Sequence, residues 1–345
     1  MKQIIFSALI FVLFVSILGC NRSQTGEVTI KGQFVGNIPE QFRYTVPVNG
    51  VAFEGFFEWR FPDSLGGFEI NLVIDRPALL YFRYLDSPPL IIEPNQHYDI
   101  ILNLTEDRKL SIEGDLGIVQ NFFNELPHEN PITCLYSFGE DVSNYNVISH
   151  RLKSELAKEE KAIQSLFLDG KITENLKELL ITERMCYYKS ALGVLAGTNR
   201  FAFLRNNEPI PNDLSQIWYE ALDLDVIEND YLLQSYYSWF LIELKIWQNI
   251  YTKFDVEQFT QIRAEKRKAN LTHSHNVELA KEFISGDILE FYLAGLFYHQ
   301  KMRREIDVNL QAIFEQFKTD FPQSAYTPFL EPLIQEVTDF VDKGD

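Results

Sequence analysis

The chain has 345 residues, 46% of them hydrophobic and 14% aromatic, and a formal net charge of −18. That length suits about two domains, and so many Phe and Tyr exclude a disordered chain, which would bury too little apolar surface to offset its entropy. A surface this acidic repels phosphate backbones. Its densest basic stretch, Arg263, Lys266, Arg267 and Lys268, is interrupted by Glu265 and reads as a solvated helix face, so nucleic acid is not an expected partner.

Residues 1–19 read as a leader. Lys2 supplies a minimal positive start. Ile4 to Leu18 is an apolar run broken only by Ser7 and Ser16, short for a membrane span and suited to a signal segment. It ends in Ile17-Leu18-Gly19-Cys20, with an aliphatic residue three before the cysteine and a small one directly before it. This resembles a lipobox, and the expected membrane anchor is lipid on Cys20, since each buried methylene of an acyl chain adds about 0.8 kcal/mol. The polar segment 20–26 reads as a tether. It carries no acidic cluster that would mark surface display, so the expected place is the cell envelope, at the outer membrane facing the periplasm.

From Glu27 to about 115 the pattern is β. Val28–Val35, Phe42–Val46, Val51–Trp59, Phe68–Ile74, Leu79–Leu85, Leu90–Glu93, Tyr98–Leu102 and Leu110–Ile112 predict about eight short strands. Period-2 alternation punctuated by Gly, Pro, Asn and Asp predicts an antiparallel β-sandwich or barrel. Residues 116–147, with Pro127, Pro131 and little periodicity over 127–146, read as a connection. From 148 to 345 the period becomes helical: Ile148–Phe167, Ile172–Ala196, a helix opening at an Asp213 N-cap, the aromatic helix Tyr231–Tyr251, then Val256–Lys268, Val277–Ile284, Asp287–Arg303, Val308–Phe321 and Tyr326–Val341. The expected class is therefore α+β, an N-terminal sandwich followed by an all-α bundle or short solenoid.

Chemistry-bearing motifs are scarce. His273-Ser274-His275 is the one close histidine pair; its neighbours read as a loop between helices, so metal is not expected. No HExxH, EF-hand, P-loop, GxGxxG or GxSxG is present, and no cofactor is implied. Cys134 and Cys186 lie far apart with no CxxC; they are either one disulfide or two buried free thiols. The aromatics Phe53, Phe56, Phe57, Trp59 and Phe61 fall on both parities of one strand, so one face cannot bury them all, and some belong to an interdomain contact or an exposed interaction patch. The stripe with Trp239 and Trp247 is either core or the wall of a ligand groove.

Three segments carry a resemblance. Val28-Thr29-Ile30-Lys31-Gly32-Gln33-Phe34 follows the tether. Ile92-Glu93-Pro94-Asn95-Gln96-His97-Tyr98-Asp99-Ile100 is a strand–turn–strand with Asn95 where glycine is usual; Asn tolerates positive φ. Leu110-Ser111-Ile112-Glu113-Gly114-Asp115 then runs into a helix with Asn121-Phe122-Phe123. Together with Phe317-Lys318-Thr319-Asp320-Phe321-Pro322-Gln323-Ser324-Ala325-Tyr326, they resemble the N-terminal part of thiol–disulfide oxidoreductase lipoproteins of Bacteroidota, a DUF4369-like β-domain followed by helices. The resemblance implies a thioredoxin-like domain with a Cys-x-x-Cys site after Tyr326, where this sequence runs only to Asp345. Exchange needs an attacking thiolate and a resolving cysteine, and no residue here matches that pair. The expectation is a non-catalytic, lipid-anchored envelope module that works by contact with a protein or ligand. The alternatives are the scaffold half of a split or truncated oxidoreductase and a nutrient-binding lipoprotein.

Overall fold

A computed structural model of the chain describes residues 25–48, 51–82, 88–105, 110–112, 116–137, 141–224, 231–303 and 307–342, without the side chains of 51–55, 300–303 and 338–342. Cys20 and the leader lie outside the described residues, as does the Phe53 side chain.

The alternation Val28, Ile30, Gly32, Phe34 puts every second residue of β1 (Gly26–Val35) on one buried face. Gly32 is required there, because the Phe68 ring fills the space a Cβ would take. β1 pairs antiparallel with β4 (Gly67–Ile74), matching Ile30 to Ile70, and parallel with β7 (His97–Asn103), matching Ile30 to Tyr98; β7 pairs antiparallel with β8 (Leu110–Ile112). The sheet order is β4-β1-β7-β8. It is thus mixed, where the sequence predicts a wholly antiparallel sandwich. Period 2 is the same in both pairings, and the parallel partner β7 reaches β1 only after a long crossover from β4 through β5 and β6.

That excursion makes the second layer. β2 (Phe42–Val48) and β3 (Val51–Arg60) form a hairpin whose register shifts between Thr45 and Pro47, where proline has no N–H to give the ladder. β5 (Ala78–Leu80) pairs with β6 (Leu90–Ile92), and a bridge from Tyr44 to Phe82 joins the two hairpins. The layers close on Val28, Ile30, Phe34, Phe42, Tyr44, Ile70, Leu80, Ile92, Tyr98, Ile100 and Leu102. Between β6 and β7, Asn95 holds φ 62° in the turn, as its sequence position predicts, and Tyr98 Oη accepts a bond from Glu93 N at 2.8 Å.

β5 and β6 are buried on both faces. Leu80 and Ile92 face the sandwich, while Leu79 and Ile91 face Val119, Phe123, Ile163, Leu176, Leu179 and Leu180 of the helices. The segment 116–147, expected as a connection, contains α1 (Leu116–Asn124), α2 (Pro131–Ser137) and the first residues of a long helix that begins at Tyr145. α1 seals the sandwich edge through a buried amide. Gln120 accepts from Ile91 N at 2.9 Å and donates to Pro89 O at 2.9 Å. Those bonds satisfy groups that would otherwise be stranded in the interior.

The remaining helices are α3 (Tyr145–Leu168), α4 (Glu174–Arg205), α5 (Asn212–Ala221), α6 (Ser238–Lys253), α7 (Val256–Lys268), α8 (Thr272–Phe283), α9 (Gly286–Arg303), α10 (Leu310–Asp320) and α11 (Thr327–Asp342). The fold is α+β. α4 is the axis, capped by the Thr173 hydroxyl on Leu176 N and packed against α2, α3, α5 and α6. Three details differ from the sequence expectation. Pro211, not Asp213, occupies the N-cap of α5; Asp213 instead holds Tyr145 Oη at 3.1 Å and Asn146 Nδ2 at 2.8 Å. His273 and His275 lie in α8 and not in a loop. The Tyr231–Tyr251 stripe is broken by a 3₁₀ turn at Leu232–Gln234 before α6 begins. No helix among the described residues is long and apolar enough to cross a membrane.

Candidate ligand cavity and the buried charge cluster behind it

The break before α6 builds a cavity. Ser235 Oγ accepts from Tyr237 N at 3.1 Å, and Glu183 Oε2 from α4 accepts from Tyr236 N at 2.9 Å. These bonds fix two adjacent tyrosines outside any helix, and Tyr237 Oη then donates to His128 O at 3.0 Å. Beyond them, Trp239 stacks on Tyr292 with ring centroids 5.3 Å apart and meets His299 at 4.4 Å, while its Nε1 donates to Tyr292 O at 3.3 Å. Gly295 is obligatory opposite, since a Cβ there would fall inside the Trp239 indole.

The space of about 370 Å³ between α2, α6 and α9 is lined by His128, Asn130, Tyr236, Tyr237, Trp239 and Phe240, with Pro131, Phe291, Gly295, Tyr298 and His299 completing it. Of these, Tyr237 and Phe291 are buried, Phe240, Tyr298 and His299 half-buried and Tyr236 exposed. Asn130 caps α2 with its Oδ1 on Ile132 N at 2.9 Å. Burial lowers the His128 pKa to about 4, with the Arg184 charge adding to the effect against the Phe123 carbonyl. The ring is therefore neutral at pH 7. Its Nε2 lies 2.7 Å from that carbonyl, so Nε2 carries the proton and donates.

Behind Tyr237 lies a buried charge cluster. Arg184 is fully buried; its Nε donates to Glu159 Oε2 at 2.6 Å, and Tyr188 Oη donates to Glu159 Oε1 at 2.6 Å. The guanidinium lies over the Tyr187 ring at 4.5 Å and the Tyr188 ring at 5.4 Å, while Nη1 and Nη2 have no hydrogen-bond partner among the described residues. Burial opposes the Arg184 charge, but Glu159 more than offsets it and holds the pKa above its usual value. Burial also raises the pKa of the neighbouring Glu183 to about 7, against the lowering influence of Ser235 and Arg184.

Cys134 and Cys186 are both buried free thiols and form no disulfide. Burial pushes the Cys186 pKa up to about 12, with Glu183 adding to it, and burial raises that of Cys134. Both stay protonated at neutral pH, the unreactive state of a thiol. Among the described residues, no group of three or more His, Cys, Asp and Glu could hold a metal ion.

The sequence-predicted aromatics separate. Phe56 is buried between the domains, 3.9 Å from the Phe329 ring and 5.9 Å from Tyr326. Phe57 and Trp59 meet edge to face under Arg43, with Trp59 44% and Phe61 68% exposed. Trp239 forms the cavity wall, but Trp247 does not; it packs on Tyr251 and Phe259 with Arg263 over its ring at 4.7 Å. The stripe therefore supplies only its N-terminal half to the cavity. Sequence reasoning missed His128, Tyr298, His299 and the Glu159–Arg184 pair. The one available signal was Glu183-Arg184, two adjacent charges within an apolar helical stretch. No family model, curated protein or solved structure matches the chain.

Proposed function

We propose that this chain is a non-catalytic envelope module, held to the outer membrane by lipid on Cys20 and facing the periplasm, which works by taking a small ligand into the Trp239 cavity. The observation that carries the reading is the cavity itself. It is concave, mostly aromatic and edged by a few polar groups, the usual make-up of a small-molecule site, and its volume is at the small end of the range. The protonated thiols at Cys134 and Cys186 favour contact over thiol–disulfide exchange. The exposed Phe57–Trp59 face of β3 is where we place the contact with an envelope protein partner.

The test is saturation-transfer NMR on the full chain in detergent, against a mixture of small neutral, anionic and cationic compounds. The reading expects at least one to bind, and Tyr298→Ala to abolish that signal without lowering the melting temperature. Binding that survives Tyr298→Ala, or no binding at all, contradicts it.

A further inference from the structure

We infer that the cavity takes a small quaternary ammonium compound, an inference that rests on the ligand-cavity reading above. Six of its lining side chains are aromatic: Tyr236, Tyr237, Trp239, Phe240, Phe291 and Tyr298. Among the described residues the lining holds no Lys, Arg, Asp or Glu. A phosphate or carboxylate ligand needs charged donors that this wall does not offer. A primary ammonium brings three N–H groups that each need an acceptor, whereas a quaternary ammonium has none and binds through ring faces alone. Trp239 serves as a buttress, since Tyr292 and His299 already pack on it. Phe240 is a half-buried part of the wall, and no ring contact to it occurs among the described residues.

The electrostatics agree. His128 is neutral and does not repel a cation. Behind the wall the Arg184 charge is paired with Glu159 at 2.6 Å, which offsets its repulsion of a cation. At long range a chain of net charge −18 concentrates cations around itself.

The experiment titrates the full chain in detergent with choline, with its neutral carbon isostere 3,3-dimethylbutanol and with glucose, following tryptophan fluorescence and the Trp239 Nε1–H resonance. Choline is expected to shift both signals and to bind at least about tenfold more tightly than the isostere, the margin a desolvated cation–ring contact supplies. Phe240→Leu and Tyr298→Leu, which keep apolar bulk and remove a ring, should each weaken choline about five- to tenfold and the isostere by less than about twofold. Equal binding of choline and isostere, or a response to glucose alone, overturns the cation assignment and leaves the ligand-cavity reading standing. If none of the three probes moves either signal, the cation assignment fails; the ligand-cavity reading fails as well if the broad compound mixture also gives nothing.

Discussion

Replacing Arg184 with Leu tests the buried charge cluster. The wild-type guanidinium shares a 2.6 Å bond with Glu159 and covers the rings of Tyr187 and Tyr188. Removing it leaves the Glu159 carboxylate buried with one neutral donor, Tyr188 Oη. Breaking one side of a buried pair costs about 3–5 kcal/mol, because an uncompensated charge remains, and that exceeds the apolar contact Leu restores. Replacing both members, Glu159→Met with Arg184→Leu, removes the stranded charge, and the double variant should fall within about 1–2 kcal/mol of wild type. Urea unfolding of the three variants at pH 7.5, compared at equal slope, measures this. Arg184→Leu losing less than about 1 kcal/mol, or the double variant losing the sum of the singles, would refute the account of the pair as a dry, mutually dependent unit.

Acid stability should be set by histidines and not by Glu183. His128 and His273, both lowered to about 4 by burial, bind protons more readily when unfolded, so stability rises with pH between about 4 and 6.5, each contributing up to about 3 kcal/mol. Glu183, raised to about 7, binds its proton more readily when folded and removes up to about 3 kcal/mol as pH rises from about 4.5 to 7. Two opposing groups outweigh one. Denaturation from pH 4 to 6.5 should show a net gain, and Glu183→Gln should steepen it; a flatter profile in that variant contradicts the assignment. Gly295→Ala gains roughly 1 kcal/mol of helix propensity but drives a methyl into Trp239, and overpacking at about 1–3 kcal/mol wins. Loss of stability together with a changed near-ultraviolet tryptophan dichroism is expected. Phe56→Ala empties the contact with Tyr326 and Phe329 and should cost about 3–5 kcal/mol in urea unfolding, whereas Phe61→Ala, largely exposed, should cost less than about 0.5 kcal/mol.

The strands were legible because period 2 survives in Val28-Thr29-Ile30 and Phe68–Ile74, and Asn95 could be read at its positive φ from the turn alone. The parallel β1–β7 pairing was not legible, since alternation carries no direction. α1 was announced only by the resemblance at Asn121-Phe122-Phe123, and α2 was obscured by Pro127, Pro131 and scattered Asn, whose effect on local propensity is overridden by burial of Cys134 and Leu135. The 3₁₀ break ahead of α6 depends on Glu183 reaching Tyr236 N across 53 positions, a contact that no local pattern announces. For the same reason the cavity could be only half foreseen. Its walls come from 128–131, 236–240 and 291–299; only the middle segment reads as a candidate groove from the sequence, although Phe291-Tyr292 and Phe297-Tyr298 make the third aromatic too.

The central claim is that this chain acts by contact while its two buried thiols stay inert. Timed labelling of the native full chain with dithionitrobenzoate at pH 7.5, read residue by residue by mass spectrometry, addresses it most directly. The account predicts no labelling at Cys134 or Cys186 until denaturant is added, then labelling at both. A reversible disulfide between them in the native state, with a potential of roughly −270 to −120 mV as in disulfide catalysts, would contradict it.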